Sequence, residues 1–319
     1  MPDPSLVGEM LDQIRNKFFV APDAEITIEA NPGTLYKEKL QIYLEHGINR
    51  LSLGLQSPQN RELKILGRIH TWEEFQESFF MARDAGFSNI NIDLMSAIPE
   101  QTYADWEKNL RTVAGLSPEH ISAYSLIIEE GTPFGERKLK LPDEDTEYRM
   151  YENTAGILEE YGFHQYEISN YAKGGRECRH NKGYWQRIDY LGLGLGASSY
   201  MEGCRFTNEK DLDKYLALDF GEEDPEKRET ALRKLWGQIE ELSQAQRMEE
   251  FMFLGLRMLK GVSDVDFVRL FGVKMETVYG DVIRRLTANG LLKKEENNLA
   301  LTEWGMDVSN FVLSEFLLG

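Results

Sequence analysis

Apolar and polar residues alternate with a period of two in three short stretches of the first half. "EITIEA" (25–30) sets Ile26 and Ile28 against Thr27 and Glu29. "RLSLGLQS" (50–57) sets Leu51, Leu53 and Leu55 against Ser52, Gly54 and Gln56. "NINIDLMSA" (89–97) sets Ile90, Ile92 and Leu94 against Asn91 and Asp93. This alternation predicts strands. "HISAYSLII" (120–128) reads as a fourth. Between them, "LYKEKLQIYLEHG", two stretches ending at Gly86 and "TYADWEKNLRTVAGL" carry the helical period. Strand and helix in turn at this spacing predict parallel strands with helical crossovers. A barrel strand is ordinarily apolar on both faces. Here the second face is small or hydrogen-bonding in all three. Glu29, Gln56 and Asp93 are expected near the C-terminal strand ends, lining a lumen that takes a polar ligand.

The pattern changes near residue 140. "DTEYRMYENTAGILEEYGF" reads as a helix closing at Gly162, and "HQYEISNYA" as one strand. Residues 171–206 are rich in glycine and aromatics, with turns. "DFGEEDPEKRE" (219–229) is an acidic linker candidate. After it come three helical stretches, a hairpin around Asn297-Asn298 and a terminal helix. The expected division is 1–170, a (β/α) layer; 171–218, an extension of its sheet; and 219–319, a winged-helix-like α+β module. The module's candidate reading helix carries Arg284 and Arg285 but also Glu276 and Asp281. That mixture favours packing or interaction over DNA reading.

Charge and composition narrow the classes. The net charge of −18 argues against nucleic acid as a partner. No apolar run is long enough for a membrane span, and the N-terminal residues do not read as a secretory signal. A cytoplasmic location is the simplest expectation. The two cysteines, Cys178 and Cys204, are too few for a disulfide framework or a cysteine-only cluster, and are expected as free thiols.

The segment with the most chemistry is "ECRHNKGYWQRIDYLGLGLGASSY". His180, Asn181, Tyr184 and Trp185 lie within six residues. A neutral imidazole ligates iron or zinc, a nearby amide can orient it, and aromatic faces can stack on a planar macrocycle. A structural zinc needs four ligands, which the neighbourhood does not offer; haem needs one or two. A lone histidine on a loop, serving only structure, is the competing reading. Gly192, Gly194 and Gly196 lack the dinucleotide fingerprint and suggest tight backbone packing. His46, His70, His120 and His164 stand singly, at the surface or behind a site. Arg68, in "LKILGRIHT", follows the Gln56 strand and can return over the strand ends to pair with a ligand carboxylate.

Eight blocks occur in order: "ITIEANPGT", "INRLSLGLQS", "LKILGRIHT", "INIDLMSAIPEQT", "HISAYSLIIEEGTP", "YEISNYA", "ECRHNKGYW" and "YLGLGLGASS". Together they resemble the radical S-adenosylmethionine proteins related to oxygen-independent coproporphyrinogen III oxidase. The HNxxYW block is similar to that of the family's haem-chaperone branch. The resemblance implies that Glu29, Gln56, Arg68 and Asp93 contact S-adenosylmethionine and that His180 is the haem-iron ligand, with Asn181, Tyr184 and Trp185 beside it. It implies haem as cargo and haemoproteins as acceptors.

The family also opens with a strand, a Cys-x-x-x-Cys-x-x-Cys loop for a [4Fe–4S] cluster, and a second strand ending in Gly-Gly-Gly-Thr-Pro. This sequence, starting "MPDPSLVGEML", holds none of these. The expectation is therefore an incomplete radical-SAM TIM-like barrel without its first two strands. "ITIEA" would form an open parallel edge, inviting dimerisation or other edge-mediated association. No radical chemistry is expected from these residues and no catalytic residue is assigned. A fragment or misassigned start is favoured over a natural short form. The rival functions are the oxidase itself, decarboxylating coproporphyrinogen III to protoporphyrinogen IX with its N-terminus absent, and a binding scaffold that has lost both activities.

Overall fold

The computed structural model describes residues 3–132, 134–220 and 224–318. The chain divides into two compact units, Met1–Arg179 and His180–Gly319. This boundary falls between the expected ones at 170 and 218.

In the first unit the alternating stretches become β1 (Thr27–Ala30), β2 (Arg50–Gln56), β3 (Ile90–Ser96) and β4 (His120–Ser125). All three neighbouring pairs are parallel. The helices are α1 (Pro4–Lys17), α2 (Lys37–Glu45), α3 (Asn60–Ile65), α4 (Trp72–Ala85), α5 (Tyr103–Ala114) and α6 (Glu144–Glu159). Capping boxes start α4 at Thr71/Glu74 and α5 at Thr102/Asp105. Gly86, left-handed at φ 114°, closes α4. Leu51, Leu53, Leu55, Ile90, Ile92 and Leu94 are fully buried against Phe75, Phe79, Trp106 and Leu110. That apolar face holds the helices on the sheet.

"HQYEISNYA" is not one strand. It folds into β5 (His164–Glu167) and β6 (Asn170–Ala172), an antiparallel pair, and β6 also runs antiparallel to β4. The chain reverses at the Ile168-Ser169 corner, where the Ser169 N–H donates to the Glu167 carboxylate at 3.2 Å. The sheet order is β1-β2-β3-β4-β6-β5, mostly parallel, with β1 at an edge as expected.

The second unit contains α7 (Arg179–Trp185, its first residue in the first unit), β7 (Ser198–Met201), β8 (Cys204–Thr207), α8 (Leu212–Leu216), α9 (Pro225–Trp236) and β9 (Ile239–Glu241). Strands β7, β8 and β9 form their own antiparallel sheet. The 171–218 region is thus not an extension of the first sheet, apart from the last residues of β6. The linker expectation for 219–229 also changes. Residues 221–223 lie outside those described, and from Pro225 the chain is helical, with Asp224 capping the N–H groups of Glu226 and Lys227. Charges on the helix obscured its weak apolar period.

The C-terminal part has α10 (Gln244–Gly255), β10 (Val262–Ser263), α11 (Asp264–Phe271), α12 (Met275–Ala288), β11 (Leu292–Glu295) and β12 (Asn298–Leu301). It ends in two short helices rather than one, α13 (Glu303–Asp307) and α14 (Ser309–Ser314). Its sheet order is β10-β12-β11. The hairpin turns at Glu296, at φ 52°, one residue before the expected Asn297-Asn298. Phe267, Tyr279, Leu286 and Phe316 centre its core. Arg284 pairs with Asp281 and Glu276, and Arg285 with Glu315, so acids answer the reading helix's cations.

Candidate functional site

The register of the first sheet sets Glu29, Ser52, Asn91 and His120 in one row across β1 to β4. Ser52, Asn91 and His120 are buried, although the row is wholly polar. Buried polar groups persist only when they bond one another, and Asn91 is the hub. Its Nδ2 donates to Ser52 Oγ at 2.8 Å and to Asp93 Oδ1 at 2.8 Å. Its Oδ1 accepts from His120 Nδ1 at 2.5 Å and from Ser122 Oγ at 3.2 Å. His120 Nε2 then meets the Tyr166 hydroxyl at 2.8 Å, and that hydroxyl accepts the Cys178 N–H at 3.2 Å. Each group has one consistent role when His120 is neutral with its proton on Nδ1. Burial, and secondarily the nearby Arg50 cation, hold the imidazole well below its ordinary pKa.

The expected ligand contacts gather beyond this row. Gln56 ends β2 past an irregularity and adopts φ 71°. Its Oε1 accepts the Tyr124 hydroxyl at 3.0 Å. Tyr124 is pushed up to about 12, first by burial and then by the charge of Asp93; Glu29 acts the same way, and Arg68 opposes it. Asp93 is raised by burial, with Glu29 contributing in the same direction. Glu29, Gln56, Arg68 and Asp93 therefore share one electrostatic neighbourhood around Tyr124. Asp93 stands at the middle of β3, not near its end. Glu29 is exposed; Arg68 is half-buried. Gly54 leaves space beside them: a Cβ there would come within 3.3 Å of Gln56 Nε2.

A second buried cluster fixes the turn that carries Gln56 and Arg68. The fully buried Glu62 accepts from Ser57 Oγ at 2.6 Å, Asn109 Nδ2 at 2.8 Å and Gln101 Nε2 at 3.0 Å. These donors hold α3 against α5. Tyr124 and Glu62 were missed in the sequence. Extending the alternation into β4 puts His120, Ser122 and Tyr124 on the polar face, which would have found Tyr124. Glu62 looks like an ordinary helical acid, and nothing local distinguishes it.

The HNKGYW segment is a helix, α7, not a loop. Its start is anchored within the first unit. The Arg179 N–H lies 3.1 Å from Glu25 Oε1, and the Arg179 guanidinium donates to the Asp23 carbonyl at 2.8 Å. The four-residue spacing of His180 and Tyr184 then puts them on one helical face. Their rings meet edge-on at 4.6 Å, and Tyr184 meets Tyr190 at 4.7 Å. Tyr190 in turn bonds Tyr200 through both backbone groups. His180 is exposed, while Asn181, Tyr184 and Trp185 are half-buried. Burial, then Tyr190, raises the Tyr184 hydroxyl. In the glycine run after α7 only Gly192 packs tightly; Gly194 and Gly196 have room for a Cβ and are instead held at positive φ, 103° and 66°. A Cβ on Gly192 would lie 2.3 Å from the Ser198 carbonyl, and Asn208 donates to the carbonyls of Gly192 and Gly194.

Neither Cys178 nor Cys204 forms a disulfide. Among the described residues no group of three or more His, Cys, Asp or Glu side chains could hold a metal ion, and no helix is long and apolar enough to cross a membrane.

Comparison with known proteins is consistent with this geometry. Residues 2–113 match the radical SAM superfamily, and residues 242–308 match the HemN C-terminal domain. The chain is 37% identical to the heme chaperone HemW of Bacillus subtilis, over 97% of this chain and 80% of that protein. It is 32% identical to the HemW of Haemophilus influenzae, over 98% and 78%. Among solved structures, the coproporphyrinogen III oxidase HemN of Escherichia coli aligns with a TM-score of 0.81 at 20% identity, over 99% of this chain and 75% of that one. That likeness establishes a HemN-like α/β fold. With identity of this extent to the HemW proteins, the chain belongs to the heme chaperone HemW family of radical SAM proteins.

Proposed function

We propose that the chain binds haem on α7, with His180 as iron ligand and Asn181, Tyr184 and Trp185 around the macrocycle, and passes it to haemoproteins. The observation that carries this reading is the helix itself. It presents an exposed imidazole with a tyrosine ring edge-on at 4.6 Å and buries none of its own residues. An exposed imidazole can reach an iron, and its aromatic neighbours offer apolar contact to a flat ring. The Trp185 Nε1–H, buried without a partner among the described residues, leaves a donor for a polar edge. The relatives named HemW supply the chaperone class.

Glu29, Asp93, Gln56 and Arg68 fit S-adenosylmethionine. They offer carboxylates to a sulfonium and an amine, a guanidinium to a carboxylate, and an amide between them. S-adenosylmethionine would organise or regulate this end of the sheet. The residues do not fit a [4Fe–4S] cluster. The family's motif takes three thiolates, and this sequence has two cysteines, in different units. No radical step is assigned to them, and the oxidase reading is not favoured. In the same reading the first sheet is part of a (β/α) barrel, the C-terminal module is winged-helix-like, and the protein works in the cytoplasm.

A hemin titration of the chain and of His180→Ala, followed at the Soret band, tests the assignment. The wild type is expected to saturate. The variant is expected to show a shifted band and roughly 100-fold weaker binding, the loss of a directly coordinated group. Identical titrations would remove His180 from the site.

A further inference from the structure

Most arginines of the second unit are matched by acids. Arg187 and Arg205 share Glu250, Arg233 has Glu229, Arg269 has Asp266, and Arg284 and Arg285 are paired as described. Arg257 is different. Among the described residues its guanidinium has no carboxylate and no hydrogen bond. It lies over the Trp185 ring, 4.5 Å from the centroid, and its Nε is buried without a partner. Among the described residues Arg247 also lacks an acid and its Nε is likewise buried without a partner, but it lies beside Gly203 rather than over a ring.

A half-buried guanidinium without an anion is costly, and the cost stands out in a chain where acids outnumber bases 54 to 36. The stacking fixes the plane of the fork, so less freedom is lost when it binds. A guanidinium donates only, and its planar edge matches a carboxylate. The stacked indole belongs to the helix that carries His180, with its own Nε1–H unpartnered nearby. A porphyrin held by that imidazole brings carboxylates on its polar edge.

We propose that Arg257 is the carboxylate anchor of the haem site, held flat by Trp185 and binding a propionate of the porphyrin that His180 ligates. This rests on the reading of α7 as a haem helix. It adds a residue from outside the HNKGYW block and assigns it a ligand group.

The test crosses two ligands with two proteins: hemin and hemin dimethyl ester against the wild type and Arg257→Ala, in Soret titrations at one ionic strength. Arg257→Ala should weaken hemin binding about 10- to 100-fold and leave the ester's affinity unchanged, because the carboxylate is already gone. The ester should bind the wild type about as weakly as hemin binds the variant. The Soret position should not move, since ligation is untouched. Arg257→Lys should recover part of the loss, a point charge replacing a fork. Equal losses for both ligands would overturn the proposal and make Arg257 a packing partner of Trp185; so would no loss for either. His180→Ala in the same series separates the two claims. If it titrates like the wild type, the haem helix itself is wrong. If it loses the band while Arg257→Ala treats both ligands alike, only the anchor falls. A thermal melt of each variant checks folding.

Discussion

The polar face of the first sheet and the helix α7 are both candidate sites, but they are built on opposite principles. Across β2 to β4 the polar side chains are buried and satisfy one another: Asn91 alone makes four hydrogen bonds. On α7 no residue is buried, and the functional groups are an exposed imidazole and aromatic edges. A satisfied buried network is rigid and costly to disturb. It can hold Asp93 and Tyr124 in place before any ligand arrives. An exposed helix with one ligating group costs little to load and little to unload. On the proposed function that asymmetry is useful, because a cargo that must be handed on needs a fast exit, and affinity is tuned mostly through release.

The strongest way to break the comparison is Asn91→Leu. It removes the hub at nearly constant volume and leaves Ser52, His120, Ser122 and Asp93 short of partners. A loss of about 3 kcal/mol in the first unit's unfolding free energy is expected in denaturant titration. His180→Ala should stay within about 0.5 kcal/mol of the wild type in the same measurement. If both substitutions cost the same, the two regions do not differ in the way described.

Arg68→Ala sharpens it. Arg68 belongs to the first region but makes no side-chain hydrogen bond or ion pair among the described residues, so it behaves like the second. Stability should hold within about 0.5 kcal/mol. S-adenosylmethionine affinity, read by calorimetry, should fall about 10- to 30-fold with the loss of a charge-assisted contact. Unchanged affinity would remove Arg68 from the ligand set.

The ease with which these two sites could be read in the sequence differed for the same reason. Period-two alternation marks a strand whose two faces meet different surroundings, so β1 to β4 and the polar row could be foreseen, with Glu29, Gln56 and Asp93 on one face. The alternation did not reveal that Asp93 sits mid-strand, because strand ends depend on neighbouring strands; Tyr124 lay within reach of the same alternation, one strand further on. The α7 residues were conspicuous by type, yet their conformation was misjudged. A glycine, two aromatics and a histidine have weak helix propensity, and the partners of Arg179 at the helix start, Glu25 and Asp23, lie some 150 positions earlier. The partner of Arg257 was invisible for the same reason. Ring stacking between residues 72 positions apart leaves no local pattern.

Acidification should separate the regions by slope. His120 has its pKa lowered in the folded chain, so below its ordinary 6.5 the unfolded chain takes up a proton that the folded one refuses. Its contribution is complete above that pH and is lost as pH falls, by up to about 1.4 kcal/mol per pH unit. His70, also lowered by burial, adds with the same sign. Asp93 is raised, so its effect is opposite: the folded chain keeps a proton that the unfolded one releases above its ordinary 3.8, and stability from that source falls as pH rises from there. Between pH 6.5 and 5 the histidines should dominate. His120→Gln should reduce the slope, with His70 supplying part of what remains. A slope unchanged in His120→Gln would mean that His120 is not held neutral.

The smallest effect, and the finest test, is Tyr124→Phe. The ring stays and only the hydroxyl goes, which costs Gln56 Oε1 its 3.0 Å donor. Gln56 is already at φ 71°, a conformation few non-glycine residues keep without support. Tyr124 is half-buried, so water can replace part of the bond, and the stability loss should be about 1 kcal/mol or less. The larger consequence should fall on the ligand. With Gln56 less fixed, S-adenosylmethionine affinity should drop a few-fold while hemin binding to α7 stays unchanged, an effect within about 1 kcal/mol. A few-fold loss in one titration and none in the other would mean that the network's rigidity serves the ligand at the strand ends. Equal affinity in both would mean that it serves only the fold, and that the polar face resembles the core more than it resembles α7.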